Sequence, residues 1–424
     1  MIRIAIATLG CKTNAYDSAA IIDQFETGSY QLVPFPEAAD IYIINTCTVT
    51  DRTDYKSRNL IRKALKQKAL NPAAKVLVTG CFAQRSHDQI QAMGAIDLIV
   101  DNQHKTDIAA LLKAKKTGFM DIMDVVDFRY ATVKNMVDRS RAFQKIQDGC
   151  DFYCSYCAVP YARGHNRSAR FEDVLAQAKL FMDGGYKEIV LGGVNLGLYD
   201  DHGRGLTDVI DALQELDGLE LIRLSSIEPQ LFSQDLVDCI KRNSKICPHF
   251  HIPLQSGSDS VLNRMGRRYD AKLFTSLVEK ILAVIPDAAI GADVICGFPG
   301  ETEAEFAATY RLLESLPLAY LHVFSYSKRK GTSAARMTDQ ISTQLKATRS
   351  SALTSLSFDM KFDYMMSLVR NRITLKGVVE EYIDDFAIFL SDHYIRGYTQ
   401  SEIAVGEVVC IKAELPFFDG VQGC

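Results

Sequence analysis

QKIQDGCDFYCSYCAVPYARGHNR, residues 144–167, places Cys150, Cys154 and Cys157 in a C-x3-C-x2-C spacing behind a short apolar segment. Three thiolates this close in sequence suit three irons of a 4Fe–4S cluster, which four would saturate. The iron left open is the chemical point, because a small molecule carrying both an amine and a carboxylate can bind there. A zinc knot or three buried thiols is the plainer alternative. Zinc sites usually need a second cysteine or histidine pair at zinc spacing, and none follows.

Downstream of this loop the chain alternates strand and helix. The apolar runs QKIQ (144–147), EIVLGG (188–193), LIRLSS (221–226), FHIPLQS (250–256), IGADVICGF (290–298) and LHVFSYS (321–327) are separated by amphipathic stretches such as 172–183 and 271–284. Six such units, with Gly, Ser, Asn, Gln and Glu at the strand ends, predict a partial barrel with its site at the carboxyl face. A full eight-unit barrel is not supported.

Upstream, IRIAIAT (2–8), IYIIN (41–45), KVLVT (75–79) and DLIV (97–100) read as strands, with a helix over 14–26 and a basic helix near 52–69. This alternation predicts an open parallel α/β sheet. Three of these strands run into a cysteine: TLGC with Cys11, NTC with Cys47 and VTGC with Cys81. Carboxyl ends of parallel strands share one edge, where ligands bind, so the pattern brings the three thiols together. Three unrelated core cysteines remain the alternative. The expected layout is an N-terminal domain over 1–120, a connection over 121–143, the barrel and a following helix over 144–369, and a small all-β module over 370–424.

A chain of 424 residues suggests two or three domains. There is no run of about 18 apolar residues, so no membrane span is expected. The N-terminus has no signal-peptide pattern, and a cytoplasmic protein is expected. Eleven cysteines in a reducing compartment then point to metal or catalysis and not to disulfides. Cys239, Cys247, Cys296, Cys410 and Cys424 fit no ligand pattern; packing is expected of them, or plain exposure for Cys424. The net charge of −4 does not mark a nucleic-acid binder, although residues 1–146 carry 20 basic and 15 acidic side chains. An RNA would have to be held by local patches.

The stretches TLGCKTN (8–14), INTCTVT (44–50), IQDGC (146–150), PYARG (160–164), LSSIEP (224–229), HIPLQSGS (251–258) and FSYSKRKGTSAA (324–335) together resemble the methylthiotransferases among the radical S-adenosylmethionine enzymes. The resemblance covers essentially the whole chain. It is nearest to the branch that converts N6-threonylcarbamoyladenosine in tRNA to its 2-methylthio derivative. The branches acting on isopentenyladenosine in tRNA or on a ribosomal-protein aspartate are the alternatives.

The resemblance implies a second 4Fe–4S cluster on Cys11, Cys47 and Cys81, beside the one on Cys150, Cys154 and Cys157. S-adenosylmethionine would serve both as radical source and as methyl donor. Tyr156 takes the aromatic position near adenine. Gly192 and Gly193 fall where the methionyl amine is placed, with Asn195 next. Ser226, Glu228 and Gln255 are candidates for carboxylate or ribose contacts, and Asp293, Ile295 and Gly297 for adenine and ribose. The tail takes the position of a TRAM module, although residues 370–424 hold five basic and nine acidic side chains. Expected partners are tRNA, an electron donor and a sulfur source. Arg163, His165, Arg167, Arg170, Lys328, Arg329, Lys330, Arg58, Arg62 and Lys63 are the basic residues expected to face RNA.

Overall fold

Runs rich in isoleucine and valine build the first sheet, because branched side chains suit a pleated surface covered on both faces. In the computed structural model, which describes residues 1–25, 28–114, 119–137 and 139–424, β1 (Ile2–Thr8), β2 (Tyr30–Leu32), β3 (Ile41–Thr46), β4 (Lys75–Gly80) and β5 (Leu98–Ile99) form one parallel sheet. Its order is β2-β1-β3-β4-β5, and β3 is buried along its whole length. β1, β3 and β4 are thus side by side, and Cys11, Cys47 and Cys81 leave adjacent carboxyl ends. Gly80 makes the last of these exits, at φ +99°, where a Cβ would stand 2.2 Å from the Thr46 carbonyl oxygen. Only glycine fits there.

Two helices flank the cysteines. Helix α1 (Lys12–Ile22) begins directly after Cys11, and helix α2 (Asp51–Leu70) shortly after Cys47. The Thr50 hydroxyl caps α2 by accepting from the Thr53 N–H at 3.2 Å. Ser57, Ile61 and Ala64 are the buried stripe of α2, spaced four and three apart, and the opposite face is basic.

The barrel strands are Ala142–Lys145, Glu188–Gly192, Leu221–Leu224, His249–His251, Ala289–Cys296 and Tyr320–Ser325. They form two three-stranded parallel sheets joined by a bridge between Ile222 and Ile246, an open arc of six as expected. Helix α1 closes the side of the first strand: Tyr16, Ala19 and Ala20 share a core with Ala142 and Phe143. A long helix, Thr343–Arg370, lies along the last strand, with Ser357 Oγ accepting from Leu321 N–H at 2.8 Å. The tail is a six-stranded sheet beginning at Thr374–Ile383, the strand-rich module expected.

Several boundaries differ for identifiable reasons. The first barrel strand ends at Lys145, because Gln147–Asp148 pairs antiparallel with Arg167–Ser168 and closes the cysteine loop at its base. The strand expected over 250–256 stops at His251, short of Pro253 and of Gln255 at φ +68°. The helix expected over 14–26 ends at Ile22, and residue 26 lies outside the described residues. The connection over 121–143 packs closely, burying Ile122, Val125, Val133 and Met136. Cys239, Cys247 and Cys296 are buried as expected, whereas Cys410 is exposed on an alternating strand of the tail and does not pack.

Three basic residues expected to face RNA are instead buried between the sheet domain and the barrel. Arg163 donates to both carboxylate oxygens of Asp148 at 2.9 Å, to Asn14 Oδ1 at 2.5 Å and to Asp17 Oδ2 at 3.2 Å. Asp17 also takes Lys105 at 2.7 Å and Lys145 at 2.6 Å. Arg167 donates to the carbonyls of Arg163 and Val125. Across the molecule, Arg329 reaches Asp51, Asp54 and Thr48 of the sheet domain at 2.5, 2.6 and 2.7 Å. A guanidinium buried among such protein acceptors is not presented to a phosphate.

Burial alone would raise Asp17 and Asp148, but Lys105, Lys145 and Arg163 around the first, and Arg163, Lys145 and Arg167 around the second, hold both well below the usual carboxylate range. Their stabilisation is therefore full above an unfolded carboxylate pKa of about 4 and fades as pH falls below it. Arg163→Met is expected to destabilise the fold by about 3–5 kcal/mol near neutrality, since it strands buried carboxylates. Its loss of stability between pH ~6 and ~3 should also be shallower than that of the parent protein. Urea unfolding across that range checks both, and an unchanged midpoint at pH 7 would rule the lock out.

Candidate two-cluster active site

The cysteine loop is pinned by its backbone on three sides. Cys150 N–H donates to Gly164 O at 3.1 Å and Cys157 N–H to Cys154 O at 2.9 Å. Between them, Ser155 N–H meets Met265 O and Ser155 O accepts from Ala334 N–H, both at 2.8 Å. The loop is thus sewn to two other loops of the barrel. Burial, the Cys154 thiol and the carboxylates of Glu228 and Asp151 push Cys150 up to about 11, while burial and the thiols of Cys154 and Cys150 take Cys157 to about 12. Thiols give up their protons when they bind a metal, and an iron held by these three would offset the charge they would then share.

Arg267 adds the most specific contact in the loop. Its Nη1 donates to Cys154 Sγ at 3.2 Å, and its Nη2 forms an ion pair with Glu228. Cys154, buried and therefore raised, is partly offset by this guanidinium. The same nitrogen lies 3.4 Å from the Tyr156 hydroxyl. Nothing in the sequence MGRRYD around Arg267 marks it, because Cys154, Tyr156 and Glu228 lie on loops far from it in sequence, although Tyr269 beside it accepts from its Nε at 3.0 Å.

At the sheet edge, Asn14 Nδ2 donates to Leu9 O at 2.6 Å and Thr46 O at 3.0 Å, tying the ends of β1 and β3. Cys11 is exposed, while Cys47 and Cys81 are buried. Burial, with Cys81 and then Cys11 adding to it, pushes Cys47 up to about 12. Asn102 Nδ2 stands 3.9 Å from Cys81 Sγ and donates to Ala162 O at 2.6 Å, linking this edge to the cysteine loop. Despite burial, Arg163 stays firmly cationic because Asp148, Cys81, Asp17 and Cys11 surround it. The segments carrying the two sets of three thiols are therefore tied together through Arg163 and Asn102.

The other expected residues divide into two groups. Tyr156 and Ile295 both pack against the apolar cluster of Val261, Met265, Phe298 and Tyr326. Gly193 lies where a Cβ would come within 2.6 Å of Gln147 Oε1, and that oxygen accepts from Asn195 N–H at 2.9 Å. The Asn195 side chain is buried with both amide atoms unpaired, so it is free to meet a ligand. Gly192 ends its strand, and Ser226 sits half-buried beyond the next. Gln255 carries its carbonyl and N–H on the Asp293 strand, accepting from Ile295 N–H at 2.8 Å and donating to Asp293 O at 2.7 Å. Gly297, at φ +71°, donates to Glu301 Oε2 at 2.7 Å.

Asp293 is engaged by two histidines that the sequence did not single out. His251 Nε2 lies 2.9 Å and His322 Nδ1 3.4 Å from its Oδ1, and against the pull of burial they keep the carboxylate ionised well below its ordinary range. Lys12, just past Cys11, is lowered to about 8 by burial and by Arg223 and Arg141. A cleft of about 770 Å³ between Arg139, Arg141, Tyr186 and Glu380 is lined by none of the six cysteines. Donor chemistry and not cleft size locates the site.

Known proteins match both halves. Residues 3–101 match the uncharacterized protein family UPF0004, and residues 145–313 match the radical SAM superfamily. The threonylcarbamoyladenosine tRNA methylthiotransferase MtaB of Bacillus subtilis is 38% identical over 99% of this chain and 96% of its own. The MtaB protein of Thermotoga maritima is 35% identical over 100% and 97%. The chain belongs to the radical S-adenosylmethionine methylthiotransferase family. Two 4Fe–4S clusters and S-adenosylmethionine go with that family, and the two trios of thiols fit such groups. Among solved structures, the radical S-adenosylmethionine methyltransferase TsrM of Kitasatospora setae aligns with a TM-score of 0.54 at 13% identity, over 76% of this chain and 73% of that one, a likeness of fold alone.

An N–H donor and a positive charge beside a cluster sulfur raise the reduction potential. Arg267→Met is therefore expected to make one of the two clusters harder to reduce, with iron content unchanged, and Arg267→Lys to recover part of the shift. Redox titration followed by electron paramagnetic resonance measures this. Equal potentials in all three proteins would remove Arg267 from the site.

Proposed function

We propose that this methylthiotransferase inserts a methylthio group at C2 of the adenine of N6-threonylcarbamoyladenosine in tRNA. The observation carrying the reading is the pair of thiol trios, Cys150, Cys154 and Cys157 on the barrel loop and Cys11, Cys47 and Cys81 on three adjacent strand ends, whose segments Arg163 ties together. The MtaB names of relatives matched over nearly their whole length supply the substrate.

In this reading the first trio holds the radical cluster and the second the auxiliary one. When bound, the clusters and S-adenosylmethionine supply a carbon radical able to break an aromatic C–H bond, and a sulfur to place there. The protein's part is orientation. Tyr156 and Ile295 offer an apolar wall for a purine, and ionised Asp293 accepts hydrogen bonds from hydroxyl groups. Gly192 ends its strand and Gly193 admits the Gln147 side chain at the turn where the methionyl amine would sit, with Asn195 beside them, and Ser226, Glu228, Gln255 and Gly297 belong to the neighbouring strand ends.

An electron donor and a sulfur source come from outside the chain, and the setting is the cytoplasm. Among the described residues no helix is long and apolar enough to cross a membrane. Arg170, Lys328 and Lys330 are exposed near the barrel mouth, as are Arg62 and Lys63 on α2, and these are the cations left to meet tRNA phosphates, whereas the exposed His165 ring is engaged by Asp151 at 2.6 Å. Arg58 is half-buried over the Phe82 ring.

Changing Cys11, Cys47 and Cys81 together to Ala is expected to halve the iron, from about eight to about four per chain. The variant should still cleave S-adenosylmethionine to 5′-deoxyadenosine under reduction, yet put no methylthio group on tRNA. Nucleoside analysis of tRNA from a strain lacking the gene completes the test. Loss of the 2-methylthio form of threonylcarbamoyladenosine, with the isopentenyladenosine series intact, is the expected result; the reverse pattern would overturn the substrate.

A further inference from the structure

The last barrel strand, Tyr320–Ser325, turns its side chains alternately to the helices and to the lumen. Leu321 and Val323 pack into the core beneath the helices, whereas Tyr320, His322 and Phe324 share the other face with their register partners Gly291, Asp293 and Ile295. Two of these three side chains are engaged. Tyr320, deepest of the three, stacks on Tyr394 of the tail with ring centroids 5.5 Å apart, and His322 Nδ1 lies 3.4 Å from Asp293 Oδ1. Phe324, nearest the rim, is 42% exposed, and its ring meets no other aromatic ring and no cation among the described residues. A single exposed apolar side chain on an outer surface is ordinary. This one stands on the inner wall, at the carboxyl end of a barrel strand, where such folds hold their sites. The loop that follows it is also bonded to the segments of both cysteine trios. Asp51 N–H, shortly after Cys47, donates to Ser327 Oγ at 3.0 Å, and Ala334 N–H donates to Ser155 O, between Cys154 and Cys157, at 2.8 Å.

We propose that Phe324 is the platform on which the target adenine of the RNA stacks once it has left its own loop. The inference rests on the reading of the chain as a tRNA-modifying enzyme and names the residue that holds the base. A base stacked between its neighbours in an RNA loop is out of reach of a site enclosed by a barrel, so it has to be extruded, and the stacking it gives up has to be offset by the protein. A flat aromatic ring does this for any purine, because it takes the face of the base and asks nothing of the groups on its edges. The division suits the reaction. C2 and the N6 substituent both lie on the edge of the ring, so a base held by its face keeps that edge free for the radical and for sulfur. The wall formed by Tyr156 and Ile295 is taken, in the same reading, by the purine of S-adenosylmethionine. Phe324 stands beside Ile295 on the next strand, which puts a second purine seat next to the first. Deeper in the lumen the wall turns polar, with His251 and His322 about Asp293, so a base coming from the rim along this strand reaches the ring first.

The test uses the holoenzyme and two dye-labelled stem–loop RNAs, one carrying N6-threonylcarbamoyladenosine in its loop and one with an abasic sugar at that position, so that they differ only in the base. Fluorescence anisotropy reads their affinities without turnover. Phe324→Ala is expected to weaken binding of the intact loop by about five- to a hundredfold, the range of a base–aromatic stack, and that of the abasic loop by no more than about twofold. Phe324→Trp should bind the intact loop as tightly as the parent protein or more so, because the larger ring still stacks. An iron content of about eight per chain shows that both cluster-bearing domains have folded in each variant. An equal loss on both RNAs in Phe324→Ala, or no loss on either, would overturn the stack. A rise in the KM for S-adenosylmethionine with RNA affinity unchanged would overturn it too, by giving the ring to the cofactor. Stacking is indifferent to the N6 substituent, so the two readings fail separately. If the parent enzyme modifies an isopentenyladenosine loop instead, the substrate reading falls, while the same pair of intact and abasic loops built on that base still decides the role of Phe324.

Discussion

The arrangement depends on one buried cation. Arg163 stands between two cysteine-bearing loops, and every partner it takes belongs to the short segments that carry those cysteines. Asn14 and Asp17 follow Cys11 by three and six residues, and Asp148 precedes Cys150 by two. The residues that would ligate iron and the residues that fix the distance between the two sites are therefore the same pieces of chain. An apolar interface could slide by an ångström at small cost, because dispersion contacts are non-directional. A guanidinium shared by three side chains cannot, since each displacement would leave a buried charge or lone pair unmet. Two-site chemistry needs that register, because an atom activated at one site must lie within bonding reach of the other.

The second attachment, Arg329 to Asp51, Asp54 and Thr48, holds the opposite rim. Asp51 and Asp54 lie in the first turn of α2, where acidic side chains are also favoured by the helix dipole. With one lock at the start of α1 and another at the start of α2, the sheet domain is fixed at both helices that follow cysteines. The exposed ends of Lys328 and Lys330 are then held at a fixed place on the rim by the buried arginine between them. A charge run thus splits into two roles according to which way each side chain points.

That split marks the limit of what the sequence could tell. Strand identity was legible because branched apolar runs and their spacing are local facts, and so was the convergence of Cys11, Cys47 and Cys81, which follows from parallel topology alone. Burial of Arg163, Arg167 and Arg329 was not legible, because a basic residue reads the same whether its partner is a phosphate or a carboxylate far off in sequence. Arg267 and the His251–Asp293–His322 group are of the same kind. Their members lie on separate strands and loops and meet only through barrel closure, so no spacing announces them. Boundaries failed where a proline or a left-handed residue cut a strand that composition alone would have continued, as at Pro253 and Gln255.

The tail shows how a charge count can mislead in the other direction. Its acidic balance argues against a basic RNA-binding face, yet the barrel has a use for its carbonyls. Arg223, wholly buried on the third barrel strand, donates to Ser391 O at 3.0 Å and Asp392 O at 3.2 Å. Tyr394 stacks on His249 with ring centroids 4.1 Å apart. One turn of the tail sheet therefore caps the base of the lumen and satisfies donors that an open barrel would expose to water. His393, raised to about 9 against the pull of burial by Asp287 and Asp392, ties the same turn to the barrel. The sheet at one end of the chain closes the base and the sheet at the other end carries Cys11, Cys47 and Cys81, which leaves the rim between them as the way in for a nucleotide.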